Sequence, residues 1–250
     1  MDVETHHGVV SITEMIDSIQ RGHLRVPRFQ RPFSWTPTQM LELFESIERG
    51  LPIGSFVVWE ADERVPSSDE FGGQQIPEPE AAEEVAYVLD GLQRLTTLFR
   101  CLTRPEDRHR AVEPDEWKWS VYRVLGEAED EPGRYQHRRS DYAVPFAYLP
   151  MRSVIRTIDF LAYRRRIPAT LPSPMRDDLI REAQYVAGRI RSYQVPIVRL
   201  RGHSARMAVE VFSRLNSRGV SLTVDEVAAA KKRAVERDFE SAEPPDPANP

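Results

Sequence analysis

Residues 85–102, VAYVLDGLQRLTTLFRCL, constrain the fold more than any other stretch of the chain. Val85, Val88 and Leu89 form a short apolar run that reads as a buried strand. Asp90 and Gly91 make a tight turn. Leu92, Leu95, Leu98, Phe99 and Leu102 then recur at helical spacing, which predicts an amphipathic helix starting at once. Asp90, Gly91, Gln93 and Arg94 therefore sit together where a strand hands over to a helix N-terminus. Free N–H groups and the positive end of the helix dipole favour an anion there. Gly91 lets the backbone approach a ligand closely, and Arg94 offers a planar, permanently charged fork for two phosphate oxygens. Asp90 suits a ribose hydroxyl, a metal ion or a water. Taken alone, these four residues read more simply as an Asp-Gly turn followed by a surface arginine.

The pattern along the rest of the chain predicts short strands separated by long helices. Ser11 and Glu14 form a capping box ahead of Ile12, Met15, Ile16 and Ile19. Residues 23–26 read as a short strand stopped by Pro27. Thr36, Pro37 and Gln39 start a second helix whose buried face is Met40, Leu43, Phe44 and Ile47, and Gly50 ends it. Residues 55–59 and 195–200 read as strands, and 117–124 as a half-buried strand. Residues 61–84 hold eight acidic side chains against one arginine, with three prolines, and are expected to be a mobile loop. Residues 126–140 read as another charged loop. Helices are expected around Val154–Ala162, from Ser173 to about Ser192, from Ala205 to Leu215, and from a capping box at Thr223 and Glu226 to about Asp238.

The formal net charge of -5 argues against a dedicated nucleic-acid binder, though not against a local basic groove. Lysine occurs only at 118, 231 and 232, so arginine carries nearly all the positive charge. Its runs at 104–110, 134–139 and 164–166 read as solvated faces. Cys101 is the single cysteine, which excludes an intrachain disulfide, and its place on the apolar helix face makes it a small core residue. His6 and His7 adjoin an expected mobile terminus, and the other histidines lack paired metal-ligand spacing, so no metal ligands are assigned. No Walker-type loop or Gly-x-Ser-x-Gly elbow is present. No apolar run reaches the length of a membrane span and the N-terminus lacks a signal pattern, which points to the cytoplasm.

Three segments taken in order carry a family resemblance: VPRFQRPFSWTPTQMLELFESI (26–47), DGLQRLTTL (90–98) and FSRLNSRGVSLTVDEVAAA (212–230). They resemble the N-terminal domain of GmrSD-type modification-dependent restriction proteins, across nearly the whole chain. The resemblance implies an α+β, ParB/sulfiredoxin-like nucleotide-binding core with inserted or appended helices. It implies one domain over 10–238; the helical stretch over about 150–192 is expected to pack on that core as a subdomain, and the composition of the tail at 239–250 predicts disorder. It also implies nucleoside-triphosphate binding, and in many members hydrolysis with Mg²⁺, in defence against foreign or modified DNA. On this reading Asp90, Gly91, Gln93 and Arg94 hold the phosphates, helped by Gln30, Arg31 and Arg218. Asp90 or Gln93 would place a water, and Asn216, in a turn closed by Gly219, would read a base or ribose. The family's usual Asp-Gly-Gln-Gln-Arg has Leu92 at its first Gln here. Helical spacing aims Leu92 at the core, so nucleotide binding is expected before hydrolysis. Family members commonly carry a second nuclease domain, which is not expected within this sequence; a separate nuclease subunit and DNA are the expected partners. The alternative is a non-enzymatic DNA-binding or protein-interaction module of the same fold.

Overall fold

Both N-terminal capping boxes form as the sequence spells them. In the computed structural model, which describes residues 4–61, 64–80, 83–103, 116–126, 133–139, 144–202 and 205–216, Ser11 accepts from the Glu14 N–H while Glu14 accepts from the Ser11 N–H at 2.7 Å. They open helix α1, Ile12–Gln20. Thr36 and Gln39 do the same for α2, Pro37–Arg49, and Gly50 closes it in the left-handed conformation. Such caps each contribute about 1 kcal/mol.

Five strands build the main sheet: β1 (Glu4–Ser11), β2 (Leu24–Arg25), β3 (Phe56–Glu60), β6 (Ala86–Asp90) and β10 (Gln194–Arg201). Their order is β1-β10-β3-β6-β2. β10 runs parallel to β3 and β2 parallel to β6, while β1 and β10, and β3 and β6, are antiparallel. The sheet buries both faces. Phe56, Val58, Val88, Val195 and Ile197 point into a core shared with α1, α2, α3 (Leu92–Leu102) and α5 (Ser173–Ser192). Val57, Trp59, Tyr87 and Leu89 point the other way, toward Ala208 on α6 (Ala205–Asn216). This is the mixed α+β architecture expected from the sequence. The apolar face of α5 joins the same core as α1–α3.

A second, antiparallel sheet has the order β8-β7-β9, from β7 (Val121–Val124), β8 (Tyr135–His137) and β9 (Tyr148–Pro150). A buried ion cluster fastens it to the helices. Arg123, fully buried, reaches Glu48 of α2 at 3.0 Å and Glu182 of α5 at 2.8 Å, and Arg134 adds a 2.9 Å contact to Glu48.

Several sequence expectations are corrected. Residues 4–11 form an edge strand, because the exposed polar strand gains its hydrogen bonds from β10 rather than from apolar burial. The acidic segment 61–84 contains a hairpin, β4 (Glu70–Phe71) and β5 (Gln74–Gln75), whose Phe71 is fully buried against Phe99 at 5.5 Å. Arg25 holds that segment from within, donating to Ser67 Oγ, Ser68 O and Pro77 O. Within 126–140, β8 pairs with β7. Residues 116–119 are a 3₁₀ turn, and the strand that follows is wholly buried rather than alternating. The helix near 154–162 starts later, as α4 (Thr157–Arg164), and buries Phe160 and Tyr163 while Ile158 and Leu161 stay exposed. The capping box at Thr223 and Glu226, its helix and the tail lie outside the described residues.

Candidate functional site at the strand–helix junction

The strand–turn–helix forms as read. Gly91 adopts φ 90°, and a Cβ there would overlap the Phe56 ring, so the junction requires glycine. No side chain caps the N-terminus of α3. Leu92 is buried in the main core, as its spacing predicted. Cys101 is buried too, and burial pushes its thiol pKa up.

The first motif folds over this junction through Gln30. β2 ends at Arg25 and pairs β6 only at Ala86 and Tyr87, so the next carbonyls of β6 lack a strand partner on that side. On the other side a register shift between Val57 and Val58 interrupts the β3–β6 ladder at the same level. The Gln30 amide donates to Val88 O at 2.8 Å and to Leu89 O at 3.0 Å, replacing the missing strand. The aromatics of the loop pack inward as expected: Phe29 meets Phe212 of α6 at 5.4 Å and Phe33 meets Trp119 at 4.9 Å. The first two motif segments therefore meet at one end of the sheet, and Phe212, in the described part of the third, packs on the first.

Gln93 and Arg94 clamp the two ends of α2. The Gln93 side-chain oxygen accepts from the Ser34 N–H at 2.8 Å and the Trp35 N–H at 3.3 Å, and its nitrogen donates to Pro32 O at 3.1 Å. These residues lead into the α2 cap. Arg94 reaches the segment leaving α2, donating to Ile53 O at 2.5 Å and Ser55 O at 3.0 Å, with Asp90 Oδ2 at 3.2 Å. One guanidinium nitrogen lies where a Gly54 Cβ would stand, so glycine is needed at that position. The guanidinium also lies 5.3 Å from the Phe56 ring centroid. Arg94 is 16% exposed, and burial lowers its pKa while Asp90 opposes that shift. The expectation of an arginine on an open edge is thus corrected: with two carbonyls to bind, the side chain turns inward. Asp90 is more open, at 39% exposure.

Arg31 is half-buried in the first-motif loop. Asn216 ends α6 one turn beyond Phe212; its side chain, and Arg218 and Gly219 entirely, lie outside the described residues.

The wall held by Arg94 borders a cavity of about 530 Å³. It is lined by Pro52, Ile53, Gly54 and Ser55, by Arg189 and Tyr193 at the end of α5, and by the start of β10. Arg189 uses its Nε to donate to Glu48 O at 2.9 Å, the α2 carbonyl next to Arg49. Sequence reasoning missed Arg189, since an arginine in the last turn of a helix reads as ordinary dipole compensation.

Comparison with known proteins adds two findings. A protein from Methanocaldococcus jannaschii described as uncharacterized is 31% identical over 113 residues, which is 41% of this chain and 18% of that protein. The chain therefore matches under a fifth of that relative's length. A family model described as the GmrSD restriction endonuclease, N-terminal domain, matches residues 12–231 and so takes in all three motif segments. By that match over most of its length, the chain belongs to the GmrSD restriction endonuclease N-terminal domain family.

Proposed function

We propose that this chain is a nucleoside-triphosphate-binding regulatory domain of a restriction or anti-phage defence system, built on a ParB/sulfiredoxin-like core. Family membership supports the defence role. The observation that carries the nucleotide reading is the meeting of the first two motif segments at an uncapped helix N-terminus, with Phe212 of the third packed on Phe29, beside a cavity whose wall is fixed by Arg94. Phosphates would lie against the first turn of α3, where the dipole and unpaired amides favour negative charge. Arg31 and Arg218 would neutralise them, and Asn216 and Gly219 would face the base or ribose. Gln30, Gln93 and Arg94 would act as positioning groups, because their polar atoms hold backbone in this geometry.

Mg²⁺ would be held by Asp90 together with the phosphates. The fit is reasonable: the carboxylate is half-open and engages Arg94 through Oδ2, and Mg²⁺ characteristically binds through one or two carboxylates plus phosphate oxygens. When bound, the ion would neutralise phosphate charge. With the Gln93 amide holding residues 32–35, Asp90 is the group left to orient a water, so binding is favoured over turnover.

The internal engagement of Gln30, Gln93 and Arg94 also supports a second reading, a non-enzymatic DNA-binding or protein-interaction module. Calorimetric titration with ATP, GTP and CTP, with and without Mg²⁺, separates the two. At least one nucleotide should bind, and Arg31→Ala and Asp90→Asn should each weaken it while the fold is kept. If no nucleotide binds the folded wild-type chain, the nucleotide reading fails.

A further inference from the structure

One arginine on the cavity beside residues 50–55 has a guanidinium fork that the fold does not engage. The wall around it is held at alternate carbonyls. Tyr193 Oη donates to Leu51 O at 2.5 Å, and Arg94 donates to Ile53 O and Ser55 O. Pro52 stiffens the same segment. A cavity of about 530 Å³ with a wall fixed in this way is formed before any ligand arrives, so little ordering accompanies binding.

Arg189 reaches the cavity, half-buried, from the last turn of α5. Its Nε donates to Glu48 O at 2.9 Å. That bond, with the dipoles of α5 and α2, accounts for Nε and for the sign of the charge. It leaves the fork over: among the described residues the two terminal nitrogens have no hydrogen-bond or ion-pair partner. Gly50 makes room for them. Its φ is 73°, and a Cβ there would stand 2.3 Å from Nη2. The same wall therefore admits two guanidinium groups at two glycines, Arg94 at Gly54 and Arg189 at Gly50. Arg94 is engaged by Ile53 O, Ser55 O and Asp90, whereas the fork of Arg189 is left to the cavity.

We infer that this cavity binds a small organic monocarboxylate, with the carboxylate on the Arg189 fork and an apolar or aromatic body against Pro52, Ile53 and Pro196. The remaining lining sets that class of ligand. The prolines, Ile53 and the Tyr193 ring present apolar surface, and among the described residues no acidic side chain lines the cavity. A planar fork matches one carboxylate through two parallel hydrogen bonds. A nucleoside triphosphate would instead bring several negative charges to a lining with one cation. Carboxylate binding here goes beyond the nucleotide reading and does not depend on it.

The test is calorimetric titration of the full chain at neutral pH with phenylbutyrate, with the neutral phenylbutyramide and inorganic phosphate as comparisons. The acid should bind with a Kd of about 1 mM or tighter. It should bind at least about tenfold more tightly than the amide, which lacks the charge, or phosphate, which lacks the apolar body. Arg189→Met keeps the apolar stem, removes the fork and should abolish the preference for acid over amide. Gln194→Glu puts a negative charge on an exposed residue of the lining and leaves the Arg189 bond to Glu48 O in place. It should weaken acid binding several-fold with Tm unchanged. No binding of the acid by the folded wild-type chain, equal binding of acid and amide, or undiminished acid binding in either folded variant would overturn the inference. So would tighter binding of phosphate than of the acid, or displacement of the acid by ATP, which would make the cavity part of the nucleotide site. ATP titration of Arg189→Met should match wild type, so either reading can fail without the other.

Discussion

Replacing Arg94 with alanine tests whether the family signature is an architectural clamp. The side chain holds Ile53 O, Ser55 O and Asp90 while 16% exposed. A hydrogen bond from a charged donor contributes about 1.5–3 kcal/mol, and a buried carbonyl left unpaired has its own desolvation cost. The Asp90 contact counts for less, because that carboxylate is 39% exposed and screened by solvent. The cation–π contact with Phe56 adds a little. The losses are not additive, so Arg94→Ala should destabilise by about 3 kcal/mol. For a protein of this size that lowers Tm by about 6–12 °C. Thermal and urea unfolding at neutral pH measure the effect. Arg94→Lys should recover less than half, since an ammonium cannot span both carbonyls in the plane of a fork. A well-folded Arg94→Ala protein with Tm within about 2 °C of wild type would refute the clamp and return the arginine to the exposed, ligand-facing role that its sequence position suggests.

Other perturbations follow from the same contacts. Gln93→Ala should cost about 1–2 kcal/mol and speed hydrogen exchange at the Ser34 and Trp35 amides, which Gln93 Oε1 caps; unchanged exchange would show that the latch does not hold in solution. Phe71→Ala should cost about 3–5 kcal/mol, and limited proteolysis should then cut within 61–84 faster than in wild type, because Phe71 is the hairpin's buried anchor. Burial lowers the His137 pKa below its usual value while the ring sits 3.0 Å from Pro37 O. The unfolded chain therefore binds this proton at a pH where the folded chain does not. The contribution is fully present above the unfolded value of about 6.5 and is lost as pH falls through the folded pKa. The urea midpoint should drop on acidification through this window, and His137→Gln should flatten that part of the profile; parallel profiles would exclude His137 as a cause.

What could be read from the sequence was what local chemistry decides. Ser11, Thr36, Gly50 and the leucine spacing of α3 each specify an element by short-range bonding or periodicity, and those elements form where expected. The hairpin under residues 61–84 was hidden because one buried phenylalanine and the remote Arg25 hold a segment whose composition reads as mobile. β1 and β8 were hidden for a related reason: polar strands are defined by their partners, and the partner of β1 lies almost at the other end of the described chain. At the site, the meeting of the first two motifs could be expected from the family resemblance. The direction in which Gln30, Gln93 and Arg94 point could not, since that depends on which backbone carbonyls and amides the tertiary fold leaves unpaired.

The contacts explain why these particular side chains suit the junction. Position 93 must accept from two amides and donate to one carbonyl at once, which an amide side chain does and a carboxylate cannot. Position 94 must bridge Ile53 O and Ser55 O from a single planar group, which selects arginine over lysine. Gln93 and Arg94 are adjacent on α3 and so point about 100° apart around the helix, one toward the chain leading into α2 and the other toward the chain leaving it. Two consecutive residues thereby fix both ends of one helix and one wall of the neighbouring cavity. Position 92 lies on the core side of the same turn, where Leu92 packs with the main apolar cluster. A leucine there leaves every polar contact made by Gln93 and Arg94 intact. The departure from the family's Gln-Gln pair therefore spares the clamp on α2.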